Sequence, residues 1–218
     1  MKRIESPVLL VATKNRGKVK EILAYLAGLP FAVKALDDLA PLPDCEEDGQ
    51  TFLENSRKKC AFYYQRTGLP TLADDSGLCV DALQGLPGVF SARYAGPDAS
   101  DRERIEKLLA EMADVPDPRR TASFVCALTF QWGKEQVFSC QKQASGYILR
   151  EPRGQKGFGY DPIFLYPEAH ASFAELAPEL KNRVSHRGQA LACFRQFLME
   201  MTSGTAESLE NSRDLGHN

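Results

Sequence analysis

Four segments of this chain carry residue types that could do chemistry together. Thr13-Lys14-Asn15-Arg16-Gly17-Lys18 sets three cations at the junction of an apolar run and a helical pattern. A helix that starts there offers unpaired N–H groups and a positive dipole end to an anion such as phosphate. The segment has one glycine and no GK[ST], so it is not a P-loop. Alone, it reads equally well as a polar helix cap. Cys45-Glu46-Glu47-Asp48-Gly49 is acidic and runs into Thr51-Phe52-Leu53-Glu54-Asn55. Thr51, Asn55 and Lys59 fall on one helical face, which by itself reads as solvated surface. Ala73-Asp74-Asp75-Ser76-Gly77 places two acids after an apolar approach, as at the end of a buried strand. Such acids suit a hard cation or a proton taken from water; an Asx turn is the alternative, and the apolar residues on both sides favour chemistry. Gly157-Phe158-Gly159-Tyr160-Asp161-Pro162, with Ser185-His186-Arg187-Gly188 further on, offers an aromatic ring between glycines and nearby donors. A ring in that setting can stack on a base, worth roughly 1–3 kcal/mol. Core aromatics in a glycine-rich hairpin would look the same.

The elements that must position these groups follow from periodicity. Pro7–Ala12 reads as a buried strand, Lys18–Ala27 as a helix and Phe31–Leu36 as a second strand, an α/β opening. Thr51–Arg66 reads as a helix, ended by Gly68. Residues 69–96, rich in glycine and proline, read as short strands joined by structured loops. Asp101–Met112 is helical, Thr121–Gln131 and Glu135–Tyr147 form an antiparallel hairpin, and Asp161–Tyr166 is a further strand. His186–Met201 closes the pattern as a helix, and the polar residues 202–218 are expected to be disordered.

Composition limits the function classes. The 218 residues have 27 Lys plus Arg against 29 Asp plus Glu, a balance unlike that of a protein that wraps nucleic acid. No apolar run approaches the ~18 residues of a membrane span. The six cysteines form no CxxC pair, which fits free thiols in a reducing, cytoplasmic compartment. Three histidines without HExxH leave a hard cation on carboxylates as the expected metal.

In order along the chain, Ala12–Lys18, Glu46–Asn55, Ala73–Leu78, Gly88–Tyr94, Gly157–Phe164 and Ser185–Ala190 resemble the inosine/xanthosine triphosphate pyrophosphatases. The resemblance spans Val8 to about Phe197. It departs at Lys14, where relatives often have Gly, and at Asp48, where they often have Thr and where a carboxylate would stand near the metal. It implies an α/β fold, two-lobed, with a long mixed β-sheet and a central nucleotide-binding cleft, as one domain over residues 1–201. It also implies a homodimer that hydrolyses non-standard purine nucleoside triphosphates (dITP, ITP, XTP) to the monophosphate and pyrophosphate, with neither nucleic acid nor membrane as partner. Thr13, Lys14, Asn15, Arg16, Gly17, Lys18 and Lys59 would then hold the triphosphate. Glu47 and Asp75 would bind Mg2+, and Asp75 would also activate the attacking water. Asp74 is a supporting acid. Ser76 would touch the nucleotide, and Phe158 would stack on the purine in a pocket shaped by Gly159, Tyr160 and Asp161. Lys181, His186 and Arg187 would supply donors to the base. A Maf-like pyrophosphatase acting on other modified nucleotides, or a non-catalytic nucleotide-binding protein, are the alternatives.

Overall fold

The first apolar run forms β1 (Val8–Val11), whose Leu9, Leu10 and Val11 are fully buried. β1 lies between two parallel neighbours, so both its faces need apolar side chains. The computed structural model describes residues 8–29 and 31–213; Pro7, at the start of the expected first strand, lies outside them. After β1 come α1 (Arg16–Leu26), β2 (Ala32–Ala35), α2 (Phe52–Thr67) and β3 (Thr71–Val80). Then follow α3 (Asp101–Glu111), β4 (Thr121–Gln131), β5 (Val137–Ile148), β6 (Phe164–Tyr166), β7 (Ala171–Ser172), α4 (Pro178–Val184) and α5 (His186–Arg213). One seven-stranded mixed sheet runs in the order β2-β1-β3-β4-β5-β6-β7. The pairs β1–β2 and β1–β3 are parallel, and every later pair is antiparallel.

The long strands β3, β4 and β5 bridge two cores. Near one end, Leu9, Ile22, Leu72, Phe130 and Phe194 pack together. Near the other, Leu78, Leu108, Phe124, Phe164 and Phe173 do so. The expected two-lobed α/β architecture thus follows from strands long enough to be claimed by both cores.

Residues 71–80 form one strand, contrary to the expectation of short strands and loops. All ten residues of β3 pair with β4, from Thr71 opposite Gln131 to Val80 opposite Ala122. The ladder satisfies the backbone through Asp74-Asp75-Ser76-Gly77, and partners on neighbouring elements satisfy the acids, so tertiary context overrides low strand propensity. The strand expected over Asp161–Tyr166 is shorter than foreseen. Asp161–Ile163 forms a helical turn, in which Pro162 cannot donate to a ladder, and only Phe164–Tyr166 pairs. The stretch expected to be disordered is helical as far as Arg213, because α5 continues past Met201; residues 214–218 lie outside the described chain. No proline interrupts residues 202–213, so the helix has no breaker there. Among the described residues no helix is long and apolar enough to cross a membrane.

Candidate active site

Side chains alternate across a strand, so the neighbours Asp74 and Asp75 point to opposite faces of the sheet. Asp74 goes to the side of α1 and α5. Its carboxylate is fully buried and receives Lys18 Nζ at 2.6 Å and Arg187 Nε at 2.8 Å. Ser76 Oγ and Cys126 Sγ also donate to it, at 2.9 and 3.2 Å. Burial would raise its pKa, but Arg187 and Lys18 together hold it well below the usual carboxylate range. Asp75 goes to the side of α2. Burial pushes its pKa up and Lys18 and Lys59 oppose that, with Glu47 near enough to add to the rise. Asp75 Oδ2 is buried without a hydrogen-bond partner.

Glu47 reaches the same place from the acidic loop before α2. That loop is fixed by Asn55, whose Oδ1 accepts from Gly49 N at 2.8 Å, and by Arg93, which donates to Glu47 O at 3.2 Å. A capping box starts α2: Thr51 Oγ1 accepts from Glu54 N, and Glu54 Oε2 accepts from Thr51 N. Lys59, two turns on, pairs with Glu47 and donates to Asp74 O at 3.1 Å. The face carrying Asn55 and Lys59 is therefore buried, not solvated as its polarity suggests. Burial lowers the Lys59 pKa, but Glu47 and Asp75 outweigh it and the ammonium stays charged.

Glu47, Lys59 and Asp75 share one cleft of about 370 Å3, the size of a small-molecule site. Its phosphate-like end is the start of α1. Asn15 caps the helix by accepting from Lys18 N at 3.1 Å, and Thr13 Oγ1 accepts from Asn15 N at 3.2 Å. Thr13, Lys14, Asn15 and Lys18 line the cleft there. Phe158, Gly159, Tyr160 and Asp161 also line it, together with Ser76, His186 and Arg187, and the Phe158 ring lies against Gly17 in the first turn of α1. Tyr160 donates to Ser91 O at 3.0 Å, and Asp161 Oδ2 accepts from Phe158 N at 2.9 Å, so the aromatic loop is held at both ends. His186 stacks on Phe124 at 4.7 Å with rings 7° apart. Burial and the neighbouring Arg187 hold its pKa well below the ordinary value, so the ring is neutral; its buried Nδ1 has no partner.

The Ham1 family model matches residues 9–197. The chain belongs to the Ham1 family. The relative named dITP/XTP pyrophosphatase of Geobacter sulfurreducens is 53% identical over 192 residues, which is 87% of this chain and 96% of that protein. Its namesake in Syntrophobacter fumaroxidans is 46% identical, over 98% and 93% of the two chains. The solved structure of a HAM1 protein from Coxiella burnetii superposes with a TM-score of 0.81 at 42% identity, over 88% of this chain and 98% of that one.

Within this Ham1 cleft most expected residues meet, but some stand behind it. Arg16, Gly17 and Lys181 are outside the lining. Gly17 serves Phe158 instead: a Cβ at Gly17 would sit 2.6 Å from the ring. Gly17→Ala is expected to displace Phe158 and raise the KM for nucleotide about tenfold, with little change in melting temperature; titration kinetics on the variant would check this. Lys181 donates to Asp161 at 2.6 Å and to Glu21 at 2.8 Å, with its ammonium 5.2 Å from the Phe158 ring centroid. Arg187 lines the cleft, yet its nitrogens already serve Asp74, Glu21 and Ser76. Asp48 adds no carboxylate to the cleft lining as expected; it pairs at the surface with Lys58 at 2.5 Å.

Several residues in or behind the cleft have no mark of their own in the sequence. Glu21 binds both Lys181 and Arg187 but is one acid in a charged helix, with no signal of its own. Asp101 accepts from Gly159 N at 2.6 Å, yet on its sequence it is only the first turn of a charged helix. Ser91 and Arg93 line the cleft and sit inside the Gly88–Tyr94 segment that carries part of the family resemblance. Phe124 alternates like any core residue of β4.

Proposed function

We infer that this Ham1 chain hydrolyses non-standard purine nucleoside triphosphates, dITP, ITP and XTP, to the nucleoside monophosphate and pyrophosphate. The observation that carries the reading is the meeting of the Glu47 and Asp75 side chains with Lys18 and Lys59 in one cleft that Phe158 and Tyr160 also line. The names of the 46–53% identical relatives support the substrate class.

Mg2+ is the expected metal. The donor set is hard, and the unpartnered buried Asp75 Oδ2 is an atom that a cation would satisfy. Glu47 and Asp75 would hold it. Among the described residues no three His, Cys, Asp or Glu side chains cluster to hold a metal unaided, so phosphate oxygens and water would complete its shell. When bound, the ion offsets phosphate charge.

The chain's own residues do the rest. Thr13, Asn15 and the first N–H groups of α1 receive phosphate oxygens, with Lys18 and Lys59 beside them. Asp75 takes the proton of the attacking water. The water oxygen bonds to the α-phosphorus, the bond to the bridging oxygen breaks, and pyrophosphate leaves. Phe158 stacks on the purine. In the tautomer that carries its proton on Nδ1, His186 donates to an oxygen at purine position 6 and meets a second donor in the amino group of adenine. An unpaired buried polar group costs about 1–3 kcal/mol, so ATP is disfavoured.

Pyrophosphate release across dITP, ITP, XTP, ATP and GTP tests this. The first three are expected to turn over at least about tenfold faster per kcat/KM than ATP and GTP, and EDTA to abolish release. Comparable turnover of all five would contradict the selectivity, and release undiminished by EDTA would contradict the metal. A Maf-like or non-catalytic reading is not favoured. The same reading carries a homodimer in the cytoplasm. Sedimentation at twice the 24.2 kDa chain mass is expected.

A further inference from the structure

We propose that Lys14 is a phosphate-binding residue held in reserve by Asp44, which occupies its ammonium group until the terminal phosphate of a substrate takes it over. The inference rests on the triphosphate reading above and adds a control on the same cleft.

Lys14 lies between Thr13 and Asn15, in the loop that opens α1, and Asp44 lies on the acidic loop opposite. Both line the cleft, and their side chains form an ion pair across its phosphate end. Lys14 also walls a second cavity of about 300 Å3 built on Leu36, Pro41 and Leu42. Its long stem therefore has room to move on either side.

Competition decides which cation an incoming polyanion can capture. Lys18 and Asp74 are 13% and 0% exposed in their pair, and Lys59 and Glu47 are 8% and 29% exposed. Arg187 and Asp74 are 4% and 0% exposed. Lys18 and Arg187 cannot leave Asp74 without stranding a desolvated carboxylate, and Lys59 is also held by the Asp74 carbonyl, so Lys18 and Lys59 meet a phosphate as shared charges and are not released to it. In the Lys14–Asp44 pair the side chains are 53% and 76% exposed. Breaking that pair returns Asp44 to water at little cost, because solvent already screens the attraction. A terminal phosphate carries more charge than one carboxylate and so outcompetes it. Lysine, a flexible point charge with three donors, can follow the exchange. Asp44, left behind, repels the same phosphate. The two residues must therefore act in opposite directions on affinity.

The test uses the full-length chain and two variants, Lys14→Ala and Asp44→Asn, both at exposed positions. With dITP and Mg2+, Lys14→Ala is expected to raise KM about fivefold and Asp44→Asn to lower it about threefold, each with kcat within about twofold of the parent. Both shifts are expected to shrink in high salt. Calorimetric binding of inorganic tripolyphosphate is expected to give the same order of affinities, Asp44→Asn tightest and Lys14→Ala weakest. Unchanged or weakened tripolyphosphate binding in Asp44→Asn would overturn the proposal, as would unchanged binding in Lys14→Ala. A parent chain that releases no pyrophosphate from dITP overturns the hydrolase reading alone, since the tripolyphosphate order still decides the role of Lys14.

Discussion

Asp75→Asn is expected to lower kcat by about 10^3-fold while the protein stays folded, with a melting temperature equal to or above that of the parent. The two outcomes share one cause. Asp75 Oδ2 is buried and unpartnered, and burial raises the carboxyl pKa. An acid whose folded pKa is raised above its unfolded value, about 3.9, favours the fold in its protonated form. That contribution is present below the unfolded pKa and is lost as pH rises through the folded one. At neutral pH the ionised carboxylate therefore costs stability, and the asparagine amide has no charge to desolvate. Function keeps the acid there against the preference of the fold, a common trade at active sites. Thermal melts beside dITP turnover check both halves, and wild-type turnover in a folded Asp75→Asn variant would remove Asp75 from the chemistry.

Asp74→Ala, one residue earlier, is expected to do the reverse and unfold the protein readily. Its carboxylate is the shared counter-ion of Lys18 and Arg187, with no exposure of its own. Removing it leaves two buried cations short of a partner, a loss of about 3–5 kcal/mol. At about 2–4 °C per kcal/mol for a chain of this size, the melting temperature should fall by roughly 6–20 °C. The pH dependence has the opposite sign to that of Asp75. Arg187 and Lys18 hold the Asp74 pKa well below the usual range against burial. Its stabilisation is present above the unfolded pKa, about 3.9, and is lost as pH falls through the folded value. Asp74→Asn should therefore lose part of the parent's sensitivity to acid below about pH 4. Melting within 2 °C of the parent would show that the pair with Arg187 holds nothing together.

The contrast between these two neighbours explains what the sequence could and could not reveal. Local patterns announced the strand before α1, the helix over Thr51–Arg66 and the β4–β5 hairpin, because apolar spacing and caps are local properties. The acidic pair also announced itself as chemistry. What stayed hidden was the division of labour between its members, since it depends on which face of β3 each side chain takes. A loop hides that alternation; an unbroken strand paired with β4 over its whole length imposes it. The same holds for Glu21, which gathers Lys181 and Arg187 from residues more than 150 positions away. Nothing local in α1 marks that face. Asn55 and Lys59 misled in the other direction: polar residues on a helix usually face water, and here a half-buried carboxylate and backbone partners hold them inside.

Hydrolysis of dITP in 18O-labelled water tests the central claim most directly. If the groove between Glu47, Asp75 and the start of α1 directs water to the α-phosphorus, label appears in the nucleoside monophosphate and pyrophosphate leaves unlabelled. Label in pyrophosphate, or release of orthophosphate in its place, would contradict the account.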